Sequence, residues 1–160
     1  AVERTRHAAE LHDVGKVAIP EAILHKPGPL DEDEISIMRR HPQIGHELLN
    51  DSHNRFIQMG AMIALRHHER YDGSGYPGGL VGEAIPVEAR IVAVADVLDA
   101  LLSPRPYKPS WPLEDALTYL SQQSGILFDP RCVAALLRNR ERLQDICERY
   151  STVSPRPGLG

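Results

Sequence analysis

Four histidines and two aspartates give this chain its chemistry: His12, Asp13, His41, His67, His68 and Asp96. Imidazole nitrogens and carboxylate oxygens both offer lone pairs to a cation. Mixed sets of this kind suit iron, manganese or zinc better than calcium or magnesium. His12 and Asp13 adjoin at the end of a helical stretch and offer one nitrogen and one carboxylate to a common point. Asp13 has two oxygens and can bridge two ions, which imidazole cannot. His67 and His68 also adjoin. Successive helical residues diverge by about 100°, so this pair converges only where a helix end frays or an ion sits between their directions. Asp96 lies inside the most apolar segment of the chain, Val87 to Leu102, where an isolated charge is very costly. Asp99, three residues on, shares its face. Each feature alone has an ordinary reading: chance adjacency, a hydrogen-bonded core histidine, an aspartate that caps a helix or pairs with an arginine. Taken together, six ligands are too many for one ion with an open position and about right for two ions sharing a carboxylate. Two such ions clamp the attacking and leaving oxygens of a phosphoryl displacement.

Helices punctuated by proline and glycine must position these groups. The pattern predicts helices over Val2 to Leu11, a short turn after Pro20 through Leu24, Glu32 to about Arg40, and Pro42 to about Leu49. Asp31 followed by Glu34 is a capping-box spacing. Asn54 or Ser52 caps a helix that ends at His67-His68, and Gly15 closes the first helix in a left-handed turn. Tyr71 to Pro86, with five glycines and two prolines, reads as a long loop without regular structure, a kind that is usually functional. Val87 to Leu102, apolar nearly all round, is expected at the centre of the core. Ser110 is expected to cap a helix reaching about Gln123, and Asp129-Pro130 to open a last helical region toward Tyr150. No strand alternation appears, so the fold class is all-α.

The chain has 160 residues, 42% of them hydrophobic and 25% charged, enough for one domain with its own core. Two cysteines, Cys132 and Cys147, exclude a disulfide scaffold and a cysteine zinc ribbon. A net charge of −4 argues against a duplex-DNA binder. No apolar run reaches the roughly 18 residues of a membrane span, and the charged residues near the start lead to the expectation of no signal peptide. The expected setting is the cytoplasm. Met59 and Met62 read as core filler, Trp111 as packing at a helix start, and His7, His25, His46 and His53 as non-ligands.

The run His12-Asp13-Val14-Gly15-Lys16, then His41, then His67-His68-Glu69-Arg70-Tyr71-Asp72-Gly73-Ser74-Gly75-Tyr76-Pro77, then Asp96 closely resembles the HD-GYP domain, a branch of the HD phosphohydrolases, over nearly the whole chain. The resemblance implies a compact helical domain over residues 1–150, a flexible tail over 151–160, and hydrolysis of cyclic di-GMP to linear pGpG, with GMP as a further product in some members. It implies two divalent metal ions, iron or manganese, with zinc or nickel as alternatives. His12 and Asp96 would hold the first ion, His41, His67 and His68 the second, and Asp13 both. Lys16 would offset charge on the phosphate, acting with Asp13 in catalysis. Arg105 and Lys108 would hold the phosphates. The loop Gly75-Tyr76-Pro77 would border the pocket, and in the family it also docks diguanylate cyclase (GGDEF) domains. A catalytically weak docking module is therefore the second reading, and hydrolysis of another cyclic dinucleotide or a nucleoside phosphate the third. The chain also resembles the output domain of receiver-linked response regulators in cell-density signalling, which implies an N-terminal receiver domain in the full-length protein. In the family, helices upstream supply one more metal-binding histidine. Only eleven residues precede His12 here and His7 is too close to stand in, so the family's N-terminal helices are expected to be missing.

Overall fold

The computed structural model describes residues 2–104 and 109–151. Among them the chain forms α1 (Val2–Ala9), α2 (Glu21–Leu24), α3 (Glu32–Met38), α4 (His41–Leu49), α5 (Arg55–Arg66), α6 (Val87–Leu102), α7 (Leu113–Gln122), α8 (Pro130–Arg138) and α9 (Arg140–Ser151). Short 3-10 turns occupy Val14–Ala18 and Gly82–Ala84. The all-α class holds, with no strand among the described residues beyond isolated bridges.

Local chemistry sets most boundaries where the sequence places them. Asp31 accepts from the Glu34 amide and the Glu34 carboxylate accepts from the Asp31 amide, a closed capping box that starts α3. Asn54 caps α5 through the Phe56 amide, and Asp129 caps α8 through the Arg131 amide.

Four expectations are corrected. Gly15 is not left-handed, because the positive-φ glycines are Gly73, Gly79, Gly82 and Gly125. It is glycine because a Cβ there would lie 1.9 Å from the His41 carbonyl oxygen. Ser110 does not cap α7, which starts at Leu113 behind Pro112. The last helical region breaks at Asn139, whose side-chain amide donates to the Ala135 carbonyl at 2.8 Å and ends α8. The Tyr71–Pro86 loop is not structureless. The Gly82 amide donates to the Tyr71 carbonyl across an Asp72–Val81 bridge, and the Tyr71 and Asp72 amides donate to the Leu127 and Ile126 carbonyls. Beyond Ser151 the expected tail lies outside the described residues, as do Arg105 and Lys108.

Helix α6 joins two apolar clusters. On one side Val92 packs with Ala8 of α1 and Ile63 of α5, with Met59 and Met62 filling in as expected. On the other, Val94 and Leu98 pack with Ala116 and Leu120 of α7, Phe128, and Val133 of α8. Full burial of a side chain such as Leu120 contributes about 1.5–3 kcal/mol. The helix is central but not enclosed all round, for Val87, Ile91, Ala95 and Asp99, at four-residue steps, form an exposed stripe. Helix α4 packs on α5 and on the 3-10 turn. That packing brings the ends of separate helices to one place.

Candidate metal centre

His12 and Asp13 sit in the turn after α1, His41 opens α4, His67 and His68 follow the last residue of α5, and Asp96 lies midway along α6. Ligand atoms of Asp13, His41, His67 and His68 all fall within 4.8 Å of one another. His41 Nε2 is 3.4 Å from Asp13 Oδ1 and His67 Nε2 3.7 Å from the same oxygen. His41 Nε2 is also 3.4 Å from His67 Nε2 and 3.2 Å from His68 Nε2. The second carboxylate oxygen faces the other way: Asp13 Oδ2 lies 3.4 Å from His12 Nε2, which is 3.5 Å from Asp96 Oδ1. All six residues expected to ligate metal are thus brought together, with His41 and His67 beside one oxygen of Asp13 and His12 beside the other.

Backbone carbonyls fix three of the four imidazoles. The Nδ1 of His12 is 2.7 Å from the Ala9 carbonyl, that of His41 2.8 Å from Met38, and that of His67 2.9 Å from Ala64. A carbonyl only accepts, so each Nδ1 carries the proton and each Nε2 presents a lone pair. At His41, His67 and Asp13 Oδ1 three electron-rich atoms converge with no proton assigned among them, an arrangement that a cation relieves. Bond lengths of about 2.0–2.1 Å to a first-row ion put neighbouring tetrahedral ligands roughly 3.4 Å apart, close to the separations seen. The donor set fits a divalent ion.

The two sides differ in electrostatics. Burial, aided by neighbouring imidazoles, pushes His67 down to about 4 and His68 to about 3, so both are neutral near pH 7. His12 is raised, chiefly by its contact with Asp96, and Asp96 is lowered by the same contact. Asp13 is driven well below the carboxylate range. Burial opposes this, and the close contact with His41 and the Lys16 ammonium outweigh it. Lys16 Nζ lies 2.6 Å from Asp13 Oδ2. The His41 and His67 side chains are buried, while His12, Asp13, Asp96 and Lys16 are part exposed. The cluster opens to solvent on the His12 side. Asp99 is exposed and joins no ion pair among the described residues.

The glycine-rich loop closes over this cluster. Tyr76 stacks on His68, centroids 4.9 Å apart and planes at 16°. Gly75 lets the chain through, since a Cβ would come within 2.5 Å of the His68 carbonyl oxygen. Glu69, fully buried, anchors the loop: its carboxylate accepts from the Gly78 and Leu80 amides at 2.7 and 3.0 Å and from Arg66 at 2.9 Å. The sequence reading assigned Glu69 no role. Its signal is the three-residue spacing to Arg66, which is too common to single it out.

Residues 1–132 match the family described as HD domain. The chain belongs to the HD domain family. The His67 to Pro77 motif is that of its HD-GYP branch. This HD domain is 69% identical over 152 residues to the cyclic di-GMP phosphodiesterase response regulator RpfG of Xanthomonas campestris pv. campestris, covering 95% of this chain and 40% of that protein. It is 50% identical over 134 residues to 3'3'-cGAMP-specific phosphodiesterase 2 of Vibrio cholerae, covering 84% of this chain and 26% of that one. The chain thus spans two fifths or less of these relatives. The crystal structure of a cyclic GMP-AMP-specific phosphodiesterase from V. cholerae shares its fold, with a TM-score of 0.62 at 20% identity over 95% of this chain and 43% of that chain.

Proposed function

We propose that this HD domain is a metal-dependent phosphodiesterase that opens cyclic di-GMP to pGpG. The observation that carries it is the placing of ligands about Asp13, with His41 and His67 beside one oxygen, His12 beside the other, His68 against His41 and Asp96 against His12. Two divalent ions bound there would supply the Lewis acidity and the activated water of an in-line displacement at phosphorus. Iron or manganese suits the mixed nitrogen and oxygen donors.

The protein's own groups have separable tasks in this reading. The carbonyls of Ala9, Met38 and Ala64 hold each imidazole in the tautomer that ligates. Lys16 has three N–H donors and uses one on Asp13. The others are free for a phosphate oxygen that gains charge as the P–O bond breaks. Tyr76, stacked on His68, walls the pocket and limits water. Arg105 and Lys108 are kept as proposed phosphate contacts on the resemblance alone. Relatives named for cyclic di-GMP and for 3'3'-cGAMP support the cyclic dinucleotide class.

The test is elemental analysis beside chromatography of products. Metal-loaded protein should convert cyclic di-GMP to pGpG, and Asp13→Ala should lose metal and hydrolysis together. Turnover by metal-stripped protein would refute the mechanism. A docking module for GGDEF domains would instead show partner binding that Tyr76 or Pro77 substitutions abolish, with no hydrolysis by the metal-loaded domain.

A further inference from the structure

The site holds a cation that the hydrolytic scheme does not use. Arg39 is the residue after the last turn of α3, two positions before His41. Its guanidinium carbon lies over the Tyr76 ring, 5.0 Å from the centroid, within the range of a cation–π contact. Tyr76 in turn stacks on His68. Arg39 is exposed and has no carboxylate partner among the described residues. Two neighbouring cations are already engaged, Lys16 with Asp13 and Arg66 with the buried Glu69. An arginine held by one aromatic contact and paired with no acid keeps its planar N–H fork free for a ligand.

We propose that Arg39 is a substrate-binding residue whose guanidinium grips two adjacent acceptor atoms of the substrate beside the Tyr76 wall. This rests on the reading of the site as a cyclic dinucleotide phosphodiesterase. Such a substrate offers two acceptor pairs that a guanidinium fork matches: the oxygens of the phosphate not being cleaved, and O6 with N7 of guanine. Adenine presents a donor where guanine has O6, so only the guanine contact discriminates between bases.

The experiment compares wild-type protein with Arg39→Met and Arg39→Lys on cyclic di-GMP, cyclic di-AMP and 3'3'-cGAMP. It reads KM and kcat with metal bound and, separately, the Kd of each nucleotide for metal-stripped protein by calorimetry. Metal content and melting temperature accompany each variant. Methionine keeps the bulk against Tyr76 and removes the fork; lysine keeps the charge without it. Arg39→Met should weaken cyclic di-GMP about tenfold in KM and Kd, with kcat within about threefold and metal content unchanged, and Arg39→Lys should not restore binding. A loss confined to guanine-bearing nucleotides assigns the contact to the base, and an equal loss on all three assigns it to phosphate. Wild-type KM and Kd in Arg39→Met, or full recovery in Arg39→Lys, overturns the two-point contact. Wild-type protein that neither binds nor cleaves any of the three overturns the functional reading itself, a result distinct from either.

Discussion

Lys16 and Asp13 share one oxygen at the mouth of the cluster, and that contact separates holding metal from moving charge. Lys16 ligates nothing, since an ammonium has no lone pair. Its removal leaves the donor atoms in place and takes away the ammonium that stands beside them. Lys16→Met is therefore expected to lower kcat by about 10²-fold, the scale of losing one preorganised donor, with metal content unchanged by elemental analysis. Loss of metal in step with activity would make Lys16 a prop for Asp13 instead. At this scale the sequence showed the pairs that adjoin, His12 with Asp13 and His67 with His68, because a shared turn already places them together. It could not show that Asp13 sends one oxygen to His41 and the other to His12, since each imidazole is aimed by a carbonyl three residues earlier and by the turn that carries it.

The helix ends converge because the 3-10 turn after Asp13 lies directly against the start of α4, and Gly15 is where the two backbones meet. A Cβ at Gly15 would also fall 2.6 Å from the Gly45 amide nitrogen, backbone that has no side chain to move aside. Gly15→Ala should cost about 3 kcal/mol, the upper range for overpacking, and should weaken metal binding by displacing His41 from Asp13. Gly28→Ala, with nothing within 4 Å of the added carbon, is the control and should leave the urea midpoint unchanged. Equal midpoints for both variants would remove the close approach as the reason for glycine. Elements opened by a local signal were legible, as at Asp31 and Asp129, because a cap needs only residues a few positions away. The break at Asn139 escaped because it depends on one side-chain amide turning back to Ala135 inside an otherwise continuous helical pattern. The order in the 71–86 loop escaped because its ties run to Glu69 and to the segment around Leu127, partners that composition does not reveal.

Across the whole molecule, the half that carries the metal cluster and the half built on α7 and α8 are joined through α6, and Asp129 locks that joint. Its carboxylate caps α8 through the Arg131 amide and accepts from Arg90 of α6 in the interior. Burial by itself would raise the Asp129 pKa; the Arg131 amide and the Arg131 and Arg90 guanidinia outweigh it and leave the group lowered. A carboxylate lowered in the folded state binds fewer protons than in the unfolded one, so its stabilisation rises with pH. That contribution is complete above the unfolded value of about 3.9 and disappears as pH falls through the lower folded value. Asp129→Asn removes the charge, leaves Arg90 buried beside a neutral amide, and should cost about 3 kcal/mol at pH 7. As pH falls below about 4, the unfolded carboxyl takes up its proton first and the folded one follows at lower pH, so the difference between the two proteins should shrink. Urea unfolding of both at pH 7 and pH 3 measures this, with every other carboxylate common to the pair. A gap of the same size at both pH values would mean that Asp129 holds α8 to α6 by shape and hydrogen bonding, without its charge.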